Sequence, residues 1–163
     1  MDDHHRAAFS CGVTALDDWF HLRAGQDEKR NVARVFVAID DQRRIVGFYS
    51  LSSFTLTIAD LPLEYAKHLP RYDLIPAALI GRLARDQRVR GEGVGDLLLA
   101  DAVRRVIGAS RSLAVFAIVV EATDEKAAAF YSDFGFAPFP SRPLRLFMPV
   151  SEAAEAVSRA LSR

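Results

Sequence analysis

Three glycines alternate with other residues where an apolar, strand-like stretch passes into a helical pattern: Gly91, Gly93 and Gly95. A glycine-rich turn at the start of a helix exposes several unpaired backbone N–H groups to one point, where the positive end of the helix dipole also attracts an anion. Three glycines so close together cost more chain entropy than an incidental turn justifies. The spacing therefore predicts an anion-binding loop that suits a pyrophosphate, with a ligand-free turn as the alternative.

Two common nucleotide-binding loops do not fit this spacing. The loop that binds nucleoside triphosphates requires a lysine and then serine or threonine after its last glycine, whereas Gly95 is followed by Asp96 and Leu97. The dinucleotide-binding turn requires a longer gap between its second and third glycines, and it follows the first strand of its fold. The glycines here alternate strictly and lie past the middle of the chain, so both interpretations are excluded.

The other reactive side chains do not form a catalytic set. Glu121, after an apolar stretch, and Asp86, just before the loop, are the available carboxylates for a general base, but both positions are more typical of ordinary polar residues. No serine lies in a nucleophile elbow, and Cys11 has no nearby partner except two histidines. The histidines show no metal-ligand spacing with other donors: His4, His5, His21 and His68. The sequence predicts neither a protein nucleophile nor a metal.

The composition is typical of a single folded domain. The chain has 163 residues, of which 50% are hydrophobic and 26% charged, so we expect one domain over 1–163. No apolar run reaches membrane-spanning length, and residues 1–5 lack the features of a signal peptide, which predicts a cytoplasmic protein. Cys11 is the only cysteine, so no internal disulfide can form, and we expect an inert thiol.

The distribution of charge is more informative than its total. Basic and acidic residues number 21 each, so the net charge gives no argument for binding nucleic acid. Most of the basic residues are arginines, whose planar guanidinium suits bidentate contact with phosphate. Between residues 67 and 90, basic residues clearly outnumber acidic ones. This excess indicates either a phosphate-facing strip or an ordinary solvated surface.

The periodicity of apolar residues predicts alternating helices and strands. Helices are predicted at Thr14–Lys29 with Thr14 as N-cap, at Val94–Ile107, at Glu125–Phe134 before Gly135, and, short or frayed, at Ala153–Leu161. Strands are predicted in a hairpin of Val35–Ile39 and Ile45–Ile58, at Ile75–Ala84, at Leu113–Val120, and once or twice within Phe136–Val150. This order predicts a mixed α/β or α+β fold with a central sheet.

The pattern Arg-x-x-Gly-x-Gly, at Arg90, Gly93 and Gly95, resembles the coenzyme A pyrophosphate loop of the GNAT acetyltransferase superfamily. The order of elements between Val35 and Met148 is similar to that family as well. The resemblance implies a GNAT fold, with a mixed sheet of about six strands splayed at the acetyl-CoA site and flanked by about four helices. It implies acetyl-CoA as co-substrate, bound by Leu83, Ala84, Arg85, Arg90, Gly91, Gly93, Val94, Gly95 and Asp124.

The segment from Ala127 to Phe136 resembles the GNAT helix whose tyrosine points at the coenzyme sulfur. The resemblance implies that Tyr131 is the general acid, because attack of an amine on a thioester expels a thiolate that a phenol can protonate. The neighbouring phenylalanines are expected to be core residues, and a place in the same core is the alternative for Tyr131. Relatives in this family often have asparagine where this chain has Asp124.

Further segments are similar to the acetyltransferase toxins of bacterial toxin–antitoxin modules: residues 9–12, 15–19, 47–51, 69–72, 80–84 and 143–149. That resemblance implies acetylation of the α-amine of a charged tRNA, a block of translation, a ribbon-helix-helix antitoxin as partner, and a homodimer. Arg71, Arg82 and Arg88 are the candidate tRNA contacts. An aminoacyl ester has an α-amine of low pKa, which fits the missing base.

Two other functions stay open from the sequence. An acetyltransferase of a small amine or of a protein N-terminus would share the coenzyme site and would need no basic surface. A protein that binds coenzyme A or a partner without catalysis would keep the loop alone, and Tyr131 argues against it.

Overall fold

Among the residues that the computed structural model describes, 6–162, six strands form one mixed sheet. In chain order they are β1 (Arg34–Ile39), β2 (Ile45–Thr57), β3 (Leu74–Arg85), β4 (Ala117–Glu121), β5 (Ala137–Phe139) and β6 (Arg142–Pro149). Their order across the sheet is β1-β2-β3-β4-β6-β5. The pairing of β3 with β4 is parallel, whereas β1 with β2, β4 with β6, and β5 with β6 are antiparallel. The predicted fold class is confirmed.

Six α-helices lie wholly within the same stretch of chain: α1 (Thr14–Leu22), α2 (Ala24–Lys29), α3 (Leu63–Ala66), α4 (Val94–Ala109), α5 (Glu125–Phe134) and α6 (Val150–Leu161). Single 3₁₀ turns lie at Ile58–Asp60 and Gln87–Val89. The prediction of about four helices is too low, because α3 is too short to show a periodic pattern and the single helix predicted at Thr14–Lys29 spans both α1 and α2.

The first predicted helix is interrupted at Arg23, whose backbone leaves the helical region at φ −123° and ψ −25°. Val13, in an extended conformation, is the residue before the helix, so the prediction of Thr14 as N-cap is wrong. The side chain of Asp17 ties down the preceding segment instead. Its carboxylate accepts hydrogen bonds from the Cys11 N–H at 2.9 Å and from the Ser10 hydroxyl at 3.0 Å.

The predicted hairpin of β1 and β2 is confirmed. Its turn is built by Asp40, whose carboxylate accepts the backbone N–H groups of Gln42 at 3.0 Å and Arg44 at 2.8 Å. The Arg44 guanidinium donates to the same carboxylate at 2.7 Å. An aspartate at the start of a turn commonly accepts hydrogen bonds from the backbone N–H groups that follow it, which explains why the turn forms at this aspartate.

The strand predicted at Leu113–Val120 begins later, at Ala117, and ends at Glu121. The end of α4 accounts for the difference, because the N–H groups of Ser112 and Leu113 still donate to the Ala109 carbonyl, at 3.1 and 3.0 Å. Leu113 is 68% exposed and belongs to this turn. An apolar run alone does not distinguish a strand from the turn before it.

The chain divides into two compact units, each with its own apolar core. Of the described residues, one unit takes in 6–52 together with 81–102. Its aromatic core is formed by Phe9, Trp19, Phe20 and Phe48, and the rings of Phe20 and Phe48 stack with centroids 4.3 Å apart.

The other unit takes in residues 53–80 and 103–162 of the described chain. Its core includes Leu56, Ile75, Val119, Phe139 and Phe147. The aromatic rings of Phe139 and Phe147 lie 5.2 Å apart between centroids.

Across residues 6–162, no helix has both the length and the apolar composition needed to cross a membrane.

Candidate active site

The glycine loop joins β3 to α4. A 3₁₀ turn at Gln87–Val89 follows β3, and the loop then runs from Arg90 to Gly93. Gly91 and Gly93 have positive φ angles of 83° and 78°, which L side chains rarely adopt. Apart from its two chain neighbours, a Cβ at either position would meet no protein atom within 4 Å, so the requirement for glycine is conformational. The loop residues from Arg90 to Gly93 are exposed to solvent, as an anion-binding loop requires.

Helix α4 directs its first turn at the same loop. Its hydrogen bonding begins at Gly93, whose carbonyl accepts the N–H of Leu97 at 3.2 Å. The first N–H groups of a helix have no partner within it, so those of Val94 and Gly95 are available to a ligand. The buried residues Leu98 and Leu99 anchor the helix one turn later. The predicted loop and helix start are therefore adjacent and suited to a pyrophosphate.

The end of β3 holds the three residues expected to contact the pantetheine arm. Ala84 is buried in the aromatic core of its unit, and Leu83 and Arg85, which alternate with it along the strand, are partly buried. The register of β3 with β4 runs from Ala77 to Ile80, and β3 continues past it to Arg85. The hydrogen bonds of these residues to the coenzyme stay a prediction.

The carboxylate of Asp86 is unsuited to act as a base. It is 2% exposed and accepts a two-pronged contact from the Arg88 guanidinium, from Nε at 2.9 Å and from Nη2 at 3.0 Å. Burial alone would raise the pKa of Asp86, but the side-chain and backbone hydrogen bonds from Arg88 and the backbone hydrogen bond from Ser10 outweigh burial and lower it. The group stays ionised and fully engaged. Sequence reasoning missed this structural role.

Tyr131 lies near the end of α5 and is held by the way that helix ends. The Gly135 N–H donates to the Ser132 carbonyl at 3.1 Å, and the Phe136 N–H donates to the Tyr131 carbonyl at 3.1 Å. With Gly135 at φ 131°, this is the paired hydrogen-bond pattern of a Schellman motif. The rings of Tyr131 and Phe136 pack edge to face with centroids 5.8 Å apart. The predicted C-cap at Gly135 is confirmed, and it orients the tyrosine.

The phenol of Tyr131 is neutral near pH 7, and its burial extends the neutral form to higher pH. The residue is 7% exposed, and burial raises the pKa of Tyr131 to about 12. A neutral phenol is a hydrogen-bond donor, which is what a departing thiolate requires. The role as general acid stays a prediction, and a neutral phenol is compatible with it.

Asp124 is the N-cap of α5. Its carboxylate accepts the Ala127 N–H at 2.8 Å, and its backbone is extended. Aspartate and asparagine serve equally well in this position, so the exchange relative to the family is explained by helix capping. Contact with the coenzyme stays a prediction for this residue.

The three candidate tRNA contacts differ in their surroundings. Arg71 is exposed. The guanidinium carbon of Arg82 lies 4.3 Å from the centre of the Trp19 ring. Trp19 is fixed in turn by its Nε1–H, which donates to Asp27 at 2.9 Å. The Arg88 guanidinium is committed to Asp86, although the side chain is 36% exposed.

Two further residues considered from the sequence have ordinary partners. Glu121 pairs across the strands with Arg145 of β6, and the two side chains form an ion pair. Burial raises the pKa of Cys11 to about 11, and the nearby Asp17 adds to the rise. The sulfur is protonated near neutral pH, which agrees with an inert thiol. The structure does not describe His4 and His5, and no group of potential metal ligands is found within residues 6–162.

Comparison with known proteins identifies the family. The acetyltransferase (GNAT) domain family matches residues 31–138. The probable toxin TacT of Sinorhizobium fredii (strain NBRC 101917 / NGR234) is 37% identical over 156 residues, which cover 91% of this chain and 86% of that protein. The tRNA-acetylating toxin of Mycobacterium tuberculosis (strain ATCC 25618 / H37Rv) is 38% identical over 146 residues, covering 90% of this chain and 86% of that toxin.

Solved structures agree with this result. The structure of AtaT complexed with acetyl-methionyl-tRNAfMet has a TM-score of 0.84 and 29% identity, covering 92% of this chain and 90% of that one. A tyrosine-to-phenylalanine mutant of AtaT, bound to the C-terminus of the antitoxin AtaR and to acetyl-CoA, has a TM-score of 0.75 and 26% identity, covering 90% and 86% of the two chains. The chain therefore belongs to the GNAT family and is an acetyl-CoA-dependent N-acetyltransferase.

Proposed function

We propose that this acetyltransferase is the toxin of a toxin–antitoxin module and that it acetylates the α-amine of aminoacyl-tRNA. The observation that carries the proposal is the similarity to two toxins, one of them named for acetylating tRNA, along about nine tenths of the chain. A similarity confined to the coenzyme-binding half would have left the acceptor open. Because the similarity continues through the rest of the chain, it also covers the residues that would bind the acceptor.

The coenzyme is proposed to bind with its pyrophosphate on the N–H groups of the loop from Gly91 to Gly95. The positive φ angles of Gly91 and Gly93 turn the backbone of the loop, and the helix dipole of α4 adds attraction for the phosphates. Arg90, which is exposed beside the loop, supplies a positive charge. The pantetheine arm would extend along Leu83 to Arg85 by hydrogen bonding to the backbone of β3.

Acetyl transfer is proposed to be direct. The α-amine nitrogen bonds to the acetyl carbon, the bond from that carbon to sulfur breaks, and the thiolate takes the proton of the Tyr131 hydroxyl. The proton that the amine loses passes to water, and Tyr131 regains one from solvent. Since an aminoacyl ester has an amine of low pKa, much of it is already neutral near neutral pH and no protein base is needed.

The acceptor RNA is proposed to contact Arg71 and Arg82. Both side chains are exposed, and an arginine held against an aromatic ring presents its guanidinium in a defined position. We expect Arg71→Ala and Arg82→Ala to raise the KM for charged tRNA and to leave acetyl-CoA binding unchanged. Arg88 is also proposed to contact the RNA, but only through the part of its side chain that stays exposed beside Asp86.

The partners follow from the same proposal. An antitoxin is expected to hold the enzyme inactive, as a complex with the antitoxin AtaR exists for AtaT. We propose that this antitoxin has a ribbon-helix-helix DNA-binding part, that the enzyme is a homodimer, and that it acts in the cytoplasm, where charged tRNA is found.

A cell-free translation extract tests the proposal. Purified enzyme together with acetyl-CoA should stop protein synthesis, whereas enzyme without acetyl-CoA should not. Addition of charged tRNA prepared separately should restore synthesis for a time, because the substrate has been consumed. If synthesis continues at its normal rate with active enzyme and acetyl-CoA present, the toxin function is wrong and a small amine or a protein N-terminus becomes the acceptor to test.

A further inference from the structure

We propose that Asp86 is a positioning residue for the coenzyme loop. It joins the segment before α1 to the turn that precedes the glycines, and so holds the loop in the form that receives the pyrophosphate. The inference rests on the proposed coenzyme role of the loop. It adds a residue that touches neither the coenzyme nor the acceptor.

The carboxylate of Asp86 gathers donors from two distant parts of the chain. The Ser10 N–H donates to Oδ2 at 3.0 Å, and the Arg88 N–H donates to Oδ1 at 2.8 Å. The Arg88 side chain adds its two-pronged contact, and its Nη2 also donates to the Ile45 carbonyl at 3.3 Å. A buried carboxylate is stable only when its oxygens are satisfied in this way.

The backbone of the same residues completes the junction. The Asp86 N–H donates to the Val46 carbonyl at 2.8 Å, and the Gln87 N–H donates to the Ser10 carbonyl at 2.9 Å. Phe9, next to Ser10, is buried in the aromatic core of this unit. Asp86 is thus fixed on one side to β2 and on the other to a segment that is itself anchored in the core.

From Asp86 the constraint passes along the chain to the glycines. The Asp86 carbonyl accepts the Val89 N–H at 3.2 Å, and the Val89 carbonyl accepts the Glu92 N–H at 3.2 Å. Val89 is buried, so its packing holds this turn in place. Gly91 and Gly93 lie inside and just after the second of these turns, where the chain has the greatest intrinsic freedom.

A flexible loop must be ordered when its ligand binds, and that ordering reduces affinity. An anchor at Asp86 orders the approach to the glycines before the coenzyme arrives. Its loss should therefore weaken acetyl-CoA binding, whereas the chemical step at saturating coenzyme should change little. Loss of a residue that merely stabilised the fold would lower the melting temperature without weakening acetyl-CoA binding selectively relative to kcat.

The test compares Asp86→Asn with Asp40→Asn. Asp40 is a control with the same kinds of partner, because it also accepts two backbone N–H groups and an arginine side chain in the same unit, but at the β1–β2 turn and with a more exposed side chain. Acetyl-CoA binding is measured by calorimetry without any acceptor, and melting temperature and circular dichroism report the fold. We expect Asp86→Asn to raise the Kd and KM for acetyl-CoA about tenfold with kcat within about twofold, and Asp40→Asn to leave the Kd unchanged.

Arg88→Gln gives a second route if Asp86→Asn does not fold, since it removes the guanidinium and leaves both backbone donors to Asp86. It should weaken acetyl-CoA binding in the same direction. A folded variant of Asp86 or Arg88 with an unchanged Kd would overturn the proposal, as would an equal loss in Asp40→Asn. Gly93→Ala distinguishes the positioning role of Asp86 from the coenzyme role of the loop. If Gly93→Ala weakens acetyl-CoA binding and Asp86→Asn does not, only the positioning role is wrong. If neither variant changes acetyl-CoA binding, the coenzyme role of the loop is wrong as well.

Discussion

The ring of Tyr131 packs edge to face on Phe136, and the Phe136 N–H donates to the Tyr131 carbonyl at 3.1 Å. One residue thus fixes both the backbone and the ring of the proposed acid. This arrangement depends on Gly135, which lies between them in chain order and takes the positive φ that closes the helix. The end of the helix is therefore part of the machinery that orients the phenol.

Removal of the Tyr131 hydroxyl should affect chemistry and spare binding. Tyr131→Phe keeps the ring and its contact with Phe136, so we expect the melting temperature and the Kd for acetyl-CoA to change little. Loss of a general acid should lower kcat by about 100-fold or more. Steady-state kinetics with saturating acetyl-CoA measures this, and a kcat within about threefold of the unaltered enzyme would remove the catalytic role.

The pH dependence should show no ionisation of Tyr131 in the ordinary range. Burial raises the pKa of Tyr131 to about 12, so the acidic form persists as the pH rises through about 10, where an exposed tyrosine ionises. The contribution of this group to the free energy of unfolding is fully present below about pH 10 and is lost as the pH rises through the pKa of Tyr131 in the folded state. An alkaline loss of kcat centred near pH 8 that disappears in Tyr131→Phe would contradict the assignment.

The conformational requirement at the loop can be tested with a pair of glycines. Gly93→Ala places a side chain at φ 78° and should cost about 1 to 2 kcal/mol of local strain, so acetyl-CoA binding should weaken. Gly108→Ala is the control, because a Cβ there also meets no atom within 4 Å outside its chain neighbours and the backbone of its own helix, and the residue lies within α4. The control should bind acetyl-CoA normally and gain up to about 1 kcal/mol of helix stability. Equal binding by both variants would contradict the role of the loop.

Cys11 should react slowly with thiol reagents while the protein is folded. Its pKa of about 11 leaves little thiolate near neutral pH, and thiolate is the form that is alkylated. Iodoacetamide labelling followed by mass spectrometry should be slow in buffer and fast in urea. Cys11→Ala should retain activity. Rapid labelling of the folded chain accompanied by inactivation would contradict an inert thiol.

The sequence was a good guide to the elements that present the coenzyme loop. The glycine spacing and the apolar periodicity predicted β3, α4 and α5 within two or three residues, because each has a clear start or stop signal in its own local sequence. For α5, the local signals are Asp124, which caps the start of the helix, and Gly135, which ends it.

The features that depend on distant parts of the chain were not predictable in this way. The role of Asp86 depends on Ser10, which is 76 positions away, and no periodicity reports such a contact. The division between α1 and α2 falls at Arg23, which is not a helix-breaking residue, and the nearby Gly25 lies within α2. The beginning of β4 was misplaced because apolar side chains occur both in a strand and in the turn before it.

The most direct test of the proposed reaction offers labelled acetyl-CoA to a mixture of charged tRNAs, free amines and peptides, and locates the label. We expect label on the α-amine of aminoacyl-tRNA, released as N-acetyl amino acid when the ester is hydrolysed, and a large loss of label with Tyr131→Phe. Label found only on peptides or small amines would contradict it.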